Sequence, residues 1–127
     1  MNLSSAYGRP KPSGGFEAWS WLFMRISGIV LLVLALGHLV IMHLIHNVDE
    51  INYAFVVERF RGFGWRMYDL SMLVLAMIHG ANGMRVIIDD YVHAPLWRRV
   101  ANGLLVLICG SLLALGIFVA IFFQPVM

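Results

Sequence analysis

Hydrophobic and polar positions separate along this chain into three long apolar stretches, about residues 26–46, 67–88 and 100–123. Each meets the roughly 20 residues needed to cross about 30 Å of hydrocarbon. With their flanking turns they predict helical spans over about 22–46, 67–90 and 100–123 within a unit 19–127. Residues 1–18 contain Gly8, Pro10, Pro12, Gly14 and Gly15 and read as an irregular tail. The connector 47–66 has polar and aromatic content compatible with a helix lying on a surface. Trp19, Trp21, Trp65 and Trp97 all fall at span ends, as an interfacial aromatic belt requires. The first apolar run is far longer than a signal-peptide core, and no small-residue cleavage pattern follows Leu44, so it reads as retained.

Composition agrees with that pattern. Of 127 residues, 61% are hydrophobic and only 13% charged, with a mean hydropathy of +0.82. A soluble domain carries roughly half apolar and about a quarter charged residues, which excludes a water-soluble globular protein. One cysteine, Cys109, excludes an internal disulfide, a thiolate-bound iron–sulfur cluster and a thiolate zinc site. The net charge is +2, but the nine Lys and Arg are scattered around the apolar stretches, a pattern of membrane orientation rather than of nucleic-acid binding. With the amino terminus in the cytoplasm, that side holds Arg9, Lys11, Arg25, Arg85, Arg98 and Arg99, against Arg59, Arg61 and Arg66 opposite. The excess predicts the amino terminus inside and the carboxyl terminus outside.

The second stretch carries Asp69, His79 and Arg85. Ionisable groups at membrane depth are costly and must face protein, a cofactor or a wet cavity. Gly80, Gly83, Gly103, Gly110 and Gly116, with Ala76, Ala114 and Ala120, form small-residue faces for close helix approach. Three helices offer little interior for either feature. The expected fold class is therefore an all-α membrane protein whose three transmembrane helices are part of a larger heteromeric helix bundle.

His79 lies near the middle of its span, and Met72, Gly83, Val86 and Asp90 share its helix face. Two readings stand at this point: an axial haem ligand with Gly83 clearing space beside it, or a histidine hydrogen-bonded to a neighbouring helix. A second group gathers at the cytoplasmic end. Arg25 and Ser27 open the first span, while Arg85, Asp89, Asp90 and Tyr91 close the second. These side chains suit a small polar headgroup, or else cap helices and snorkel to the interface. Asp90 is eleven residues from His79, about 16 Å along a helix.

The string His79-Gly-Ala-Asn-Gly83-Met-Arg85-Val-Ile-Ile-Asp89-Asp90-Tyr91 resembles the second transmembrane helix of succinate dehydrogenase cytochrome b subunits. These occur as a pair of small anchors, a C-type and a D-type. The D-type anchor has His, Gly four residues on, and Asp-Tyr eleven and twelve residues on; all four match. Arg85 and the string Arg25-Ile-Ser27-Gly28 resemble the companion C-type anchor, although the place of its quinone-contacting serine holds Trp21 here. The resemblance extends from about Trp19 to the end of the chain.

That resemblance implies a membrane anchor of succinate:quinone oxidoreductase in the bacterial cytoplasmic membrane. Its succinate dehydrogenase partners would be the C-type anchor, an iron–sulfur protein and a flavoprotein, with lipid around it and ubiquinone or menaquinone as substrate. His79 would be an axial ligand of haem b. Tyr91, Asp90, Arg25 and Ser27 would stand at the quinone or a haem propionate, with Arg85 beside them. Gly37-His38-Leu39-Val40 resembles the first-helix ligand string of two-haem anchors, making His38 a candidate second haem ligand, against a structural histidine. Alternatives are an anchor of a quinol:fumarate reductase, a haem-free structural anchor and a component of a small transporter. His43 and His46 read as interfacial, His93 as a loop residue, Asp69 as a helix amino-terminal acid, and the methionines as packing.

Overall fold

The computed structural model describes residues 14–123. Most of the expected tail, including Arg9 and Lys11, therefore lies outside the described residues. Helix α1 (Phe16–Leu39) continues through a π-helical segment, Val40–Ile45, to make one rod of 30 residues. A short 3₁₀ turn at Val48–Glu50 leads to α2 (Tyr53–Arg61), then α3 (Phe63–Tyr91) and α4 (Pro95–Phe122). Three helices are long and apolar enough to cross a membrane, as the hydropathy pattern predicts. At 1.5 Å per residue they run about 42–45 Å, so their ends reach beyond about 30 Å of hydrocarbon.

Each long helix starts before its apolar stretch: at Phe16, Phe63 and Pro95. Hydropathy marks the lipid-facing part, whereas the backbone keeps its helical bonds through interfacial aromatic and basic residues. Pro95 occupies the first position of α4, where its missing N–H costs nothing. The early start of α3 corrects one expectation. Asp69 is not a helix amino-terminal acid; it lies well past the first turn, which contains no acidic residue. It pairs instead with Arg59 of α2. The connector does hold a helix, α2, begun by Asn52, whose side-chain oxygen accepts the Phe55 N–H at 3.0 Å.

Helix α3 packs against both α1 and α4. A Cβ on Gly116 would run into the Leu73 side chain, so any larger residue there would have to push Leu73 aside where α4 approaches α3. On the other side, the Tyr68 hydroxyl donates to the Leu34 carbonyl beside Gly37. Ser20 donates to Asn82 at 2.9 Å, and Asn102 donates to Asp89 at 3.2 Å, so polar bonds join all three spans.

Among the described residues only Ala120, Ser27 and Arg59 are buried. Large apolar side chains along every span point away from the chain, and Gly80, Gly103 and Gly110 have no atom within 4 Å of an added Cβ. Gly80 and Gly103 thus lie on open faces of the described chain, while Gly110 borders open space between α3 and α4.

Candidate functional site

The middle of the α1–α3 contact is built around one imidazole. His79 Nδ1 lies 2.7 Å from the Ser27 hydroxyl, and Ser27 is only 2% exposed. The same hydroxyl lies 2.6 Å from the Phe23 carbonyl, one turn back along α1. Gly28 makes room for the ring: its added Cβ would sit 3.5 Å from His79 Cε1. Gly83, expected to clear space beside His79, stands against Met24, whose terminal methyl would lie 3.4 Å from an added Cβ. Among the described residues nothing hydrogen-bonds to His79 Nε2, and the residue is half-buried. One ring nitrogen is held inside the chain and the other is left over at its surface.

The polar group nearer the α1 amino terminus gathers around Arg85. Its guanidinium reaches Glu17 and Asp89 at 3.3 Å, with Ser20 and the Asn82 oxygen at 3.4 and 3.3 Å. Glu17 and Asp89 together outweigh the single positive charge. Beside them a groove of about 560 Å³ runs between α3 and α4, its polar end formed by Arg85, Asp89, Asn82 and Asn102. Two amide atoms there, Asn82 Nδ2 and Asn102 Oδ1, are buried without a partner among the described residues.

The residues expected to share a headgroup site do not all meet within this chain. Arg25 is exposed and lies over the Trp21 ring at 4.0 Å. Tyr91 is 80% exposed, and Asp90 is exposed on the same helix face as His79. Arg85 pairs with Asp89 and not with Asp90. Ser27 faces His79 instead of the exposed Arg25. Any site that uses Arg25, Asp90 and Tyr91 together has to be closed by groups from outside the described residues.

The opposite end holds a separate ion cluster. Arg59 donates from Nε and a terminal nitrogen to both oxygens of Asp69, each at 2.7 Å, and lies 4.5 Å from the Trp65 ring centre. His38 Nδ1 is 3.7 Å from Asp69 Oδ1, too far for a hydrogen bond, and is buried without a partner among the described residues. Its ring stacks near Tyr68 with centroids 6.5 Å apart. His43 is exposed, and His46 meets Phe55 edge-on.

Comparison with known proteins gives the family of this chain. Residues 2–119 match the family described as succinate dehydrogenase/fumarate reductase transmembrane subunit. The chain belongs to that family. Two relatives are each named succinate dehydrogenase hydrophobic membrane anchor subunit. The one from Archaeoglobus fulgidus is 30% identical over 74 residues, covering 58% of this chain and 62% of that protein. The one from Rickettsia conorii is 28% identical over 102 residues, covering 79% of this chain and 77% of that protein. The matched stretch thus spans less than two thirds of the archaeal relative. Both names bear out the resemblance to a D-type anchor carried by the His79–Tyr91 string.

Within this succinate dehydrogenase/fumarate reductase anchor, sequence reasoning missed Glu17, Ser20, Asn82 and Asn102, which surround Arg85 and Asp89. It also missed the partnership of Ser27 with His79. The only signal was polar residues on the apolar helices, and it does not say which of them meet.

Proposed function

We propose that this chain is the membrane anchor of a succinate:quinone oxidoreductase. In this reading it docks a flavoprotein and an iron–sulfur protein at the end bearing Arg25 and Tyr91, which faces the cytoplasm. It shares haem b with the C-type anchor through His79 and contributes Tyr91 and Asp90 to a quinone site. The observation that carries the reading is His79 itself. It is a mid-span imidazole with Nδ1 engaged by Ser27 and Nε2 left without a partner among the described residues. Among those residues no three or more His, Cys, Asp or Glu converge as for a bare metal ion. A single imidazole nitrogen suits a metal that brings its own macrocycle, so the donor set fits haem.

Haem, when bound, supplies a one-electron carrier at membrane depth. The chain's own residues do the rest. Gly28 admits the imidazole between helices, Ser27 holds it, and the exposed Tyr91 phenol is free to donate to a quinone carbonyl. Arg25, near the same end, offers a cation to a propionate or to charge developing on the quinone oxygen. Protons for quinone reduction come from the cytoplasmic side, where Asp90 is exposed. If a second haem is bound, His38, beside Tyr68 and Asp69, is its candidate ligand on α1. Either direction, succinate oxidation or fumarate reduction, uses the same anchor.

The test is the dithionite-reduced minus oxidised spectrum of the purified assembly with His79→Ala. Loss of the b-type band while flavin stays bound supports ligation. An unchanged spectrum refutes it.

A further inference from the structure

We infer that Ser27 is a positioning residue that fixes His79 in one tautomer, with the proton on Nδ1 and the lone pair on Nε2; this rests on the reading of His79 as a haem ligand. A count of protons leads there. Ser27 Oγ and the Phe23 carbonyl oxygen are 2.6 Å apart, and a carbonyl cannot donate. The only proton able to sit between those two oxygens is that of the serine hydroxyl. The 2.7 Å contact between Ser27 Oγ and His79 Nδ1 therefore needs a second proton, and it comes from the imidazole. Oγ accepts there, Nδ1 donates, and the neutral ring keeps its lone pair on Nε2.

Burial makes this arrangement strict. Ser27 is 2% exposed, so no water competes for either bond. Ser27 belongs to α1 and His79 to α3, so the bond also fixes the ring against a second helix. A chain of two hydrogen bonds, imidazole to hydroxyl to carbonyl, polarises along its length and draws the Nδ1 proton away from the ring. That strengthens Nε2 as an electron-pair donor to a metal and favours the more highly charged, oxidised iron. Ser27 is thus assigned to the electronic tuning of the haem and not to contact with quinone.

The experiment measures the haem midpoint potential and the reduced spectrum of the purified assembly for wild type, Ser27→Ala, Ser27→Thr and His79→Ala. Removing the hydroxyl is expected to weaken ferric more than ferrous binding about tenfold, which reads as an upward shift of about 59 mV for one electron. Threonine retains an oxygen able to bond back to the carbonyl one turn away and should restore the wild-type potential. Loss of haem in Ser27→Ala with recovery in Ser27→Thr supports the assignment equally. A wild-type potential in Ser27→Ala overturns it, and so do equal changes in the alanine and threonine variants. If His79→Ala keeps its haem, the reading of His79 fails instead, whatever Ser27 does.

Discussion

Replacing Asp69 by leucine tests how α2 is fastened to the spans. The Arg59 side chain is 8% exposed and makes two bonds of 2.7 Å to the carboxylate, a charge-assisted fork from Nε and one terminal nitrogen. Without Asp69 the cation is left almost dry. Breaking a buried pair from one side costs about 3–5 kcal/mol. Asp69 itself is 21% exposed, so water reaches part of this site, and the expected loss is at the low end of that range, about 3 kcal/mol. The Glu58–Arg61 pair is the internal control. Its side chains are 76% and 53% exposed at 3.4 Å, which makes it worth about 0–1 kcal/mol. The assay is detergent-driven unfolding of the purified assembly, with helix content followed for Asp69→Leu, Arg59→Leu, the double variant and Glu58→Ala. The double variant strands no charge, so it should lose less than the two singles together, by about 1–3 kcal/mol. Strictly additive losses would refute the reasoning. So would an Asp69 effect no larger than that of Glu58.

Three further outcomes follow from the geometry. Gly28→Ala should keep the b-type spectrum because its Cβ meets His79 at 3.5 Å; Gly28→Leu should weaken it, and equal spectra in both would contradict the close approach. Tyr91→Phe should lower quinone reduction roughly fivefold, the loss of one hydrogen bond of about 1 kcal/mol, while succinate oxidation with an artificial acceptor persists; equal loss of both activities would count against a quinone role. Gly116→Ile should cost about 1–3 kcal/mol by forcing Leu73 aside, whereas Gly103→Ala, with open space around it, should be close to neutral in the same unfolding assay.

The three spans were legible because each must supply its own long apolar surface, and that requirement is written into consecutive residues. Their ends were not. Phe16, Phe63 and Pro95 begin helices in interfacial sequence, where hydropathy no longer distinguishes helix from tail. His79 and Tyr91 could be picked out because their spacing lies on one helix. Ser27 with His79, and Glu17 with Arg85, could not, since each pairing depends on how two helices rotate about their own axes. Arg59 and Asp69 are ten residues apart across Gly62, a separation that no single helix period brings together.

The order in which these contacts occur along the chain has a consequence for biogenesis. Ser27 with His79, Tyr68 with Leu34, Arg59 with Asp69 and Glu17 with Arg85 all lie within the stretch that ends at Tyr91. All four contacts therefore need nothing from α4, and the α1–α3 hairpin is free to close while the last span is still inside the ribosome. The last span then docks onto a finished template, through Asn102 and Gly116, instead of helping to create it.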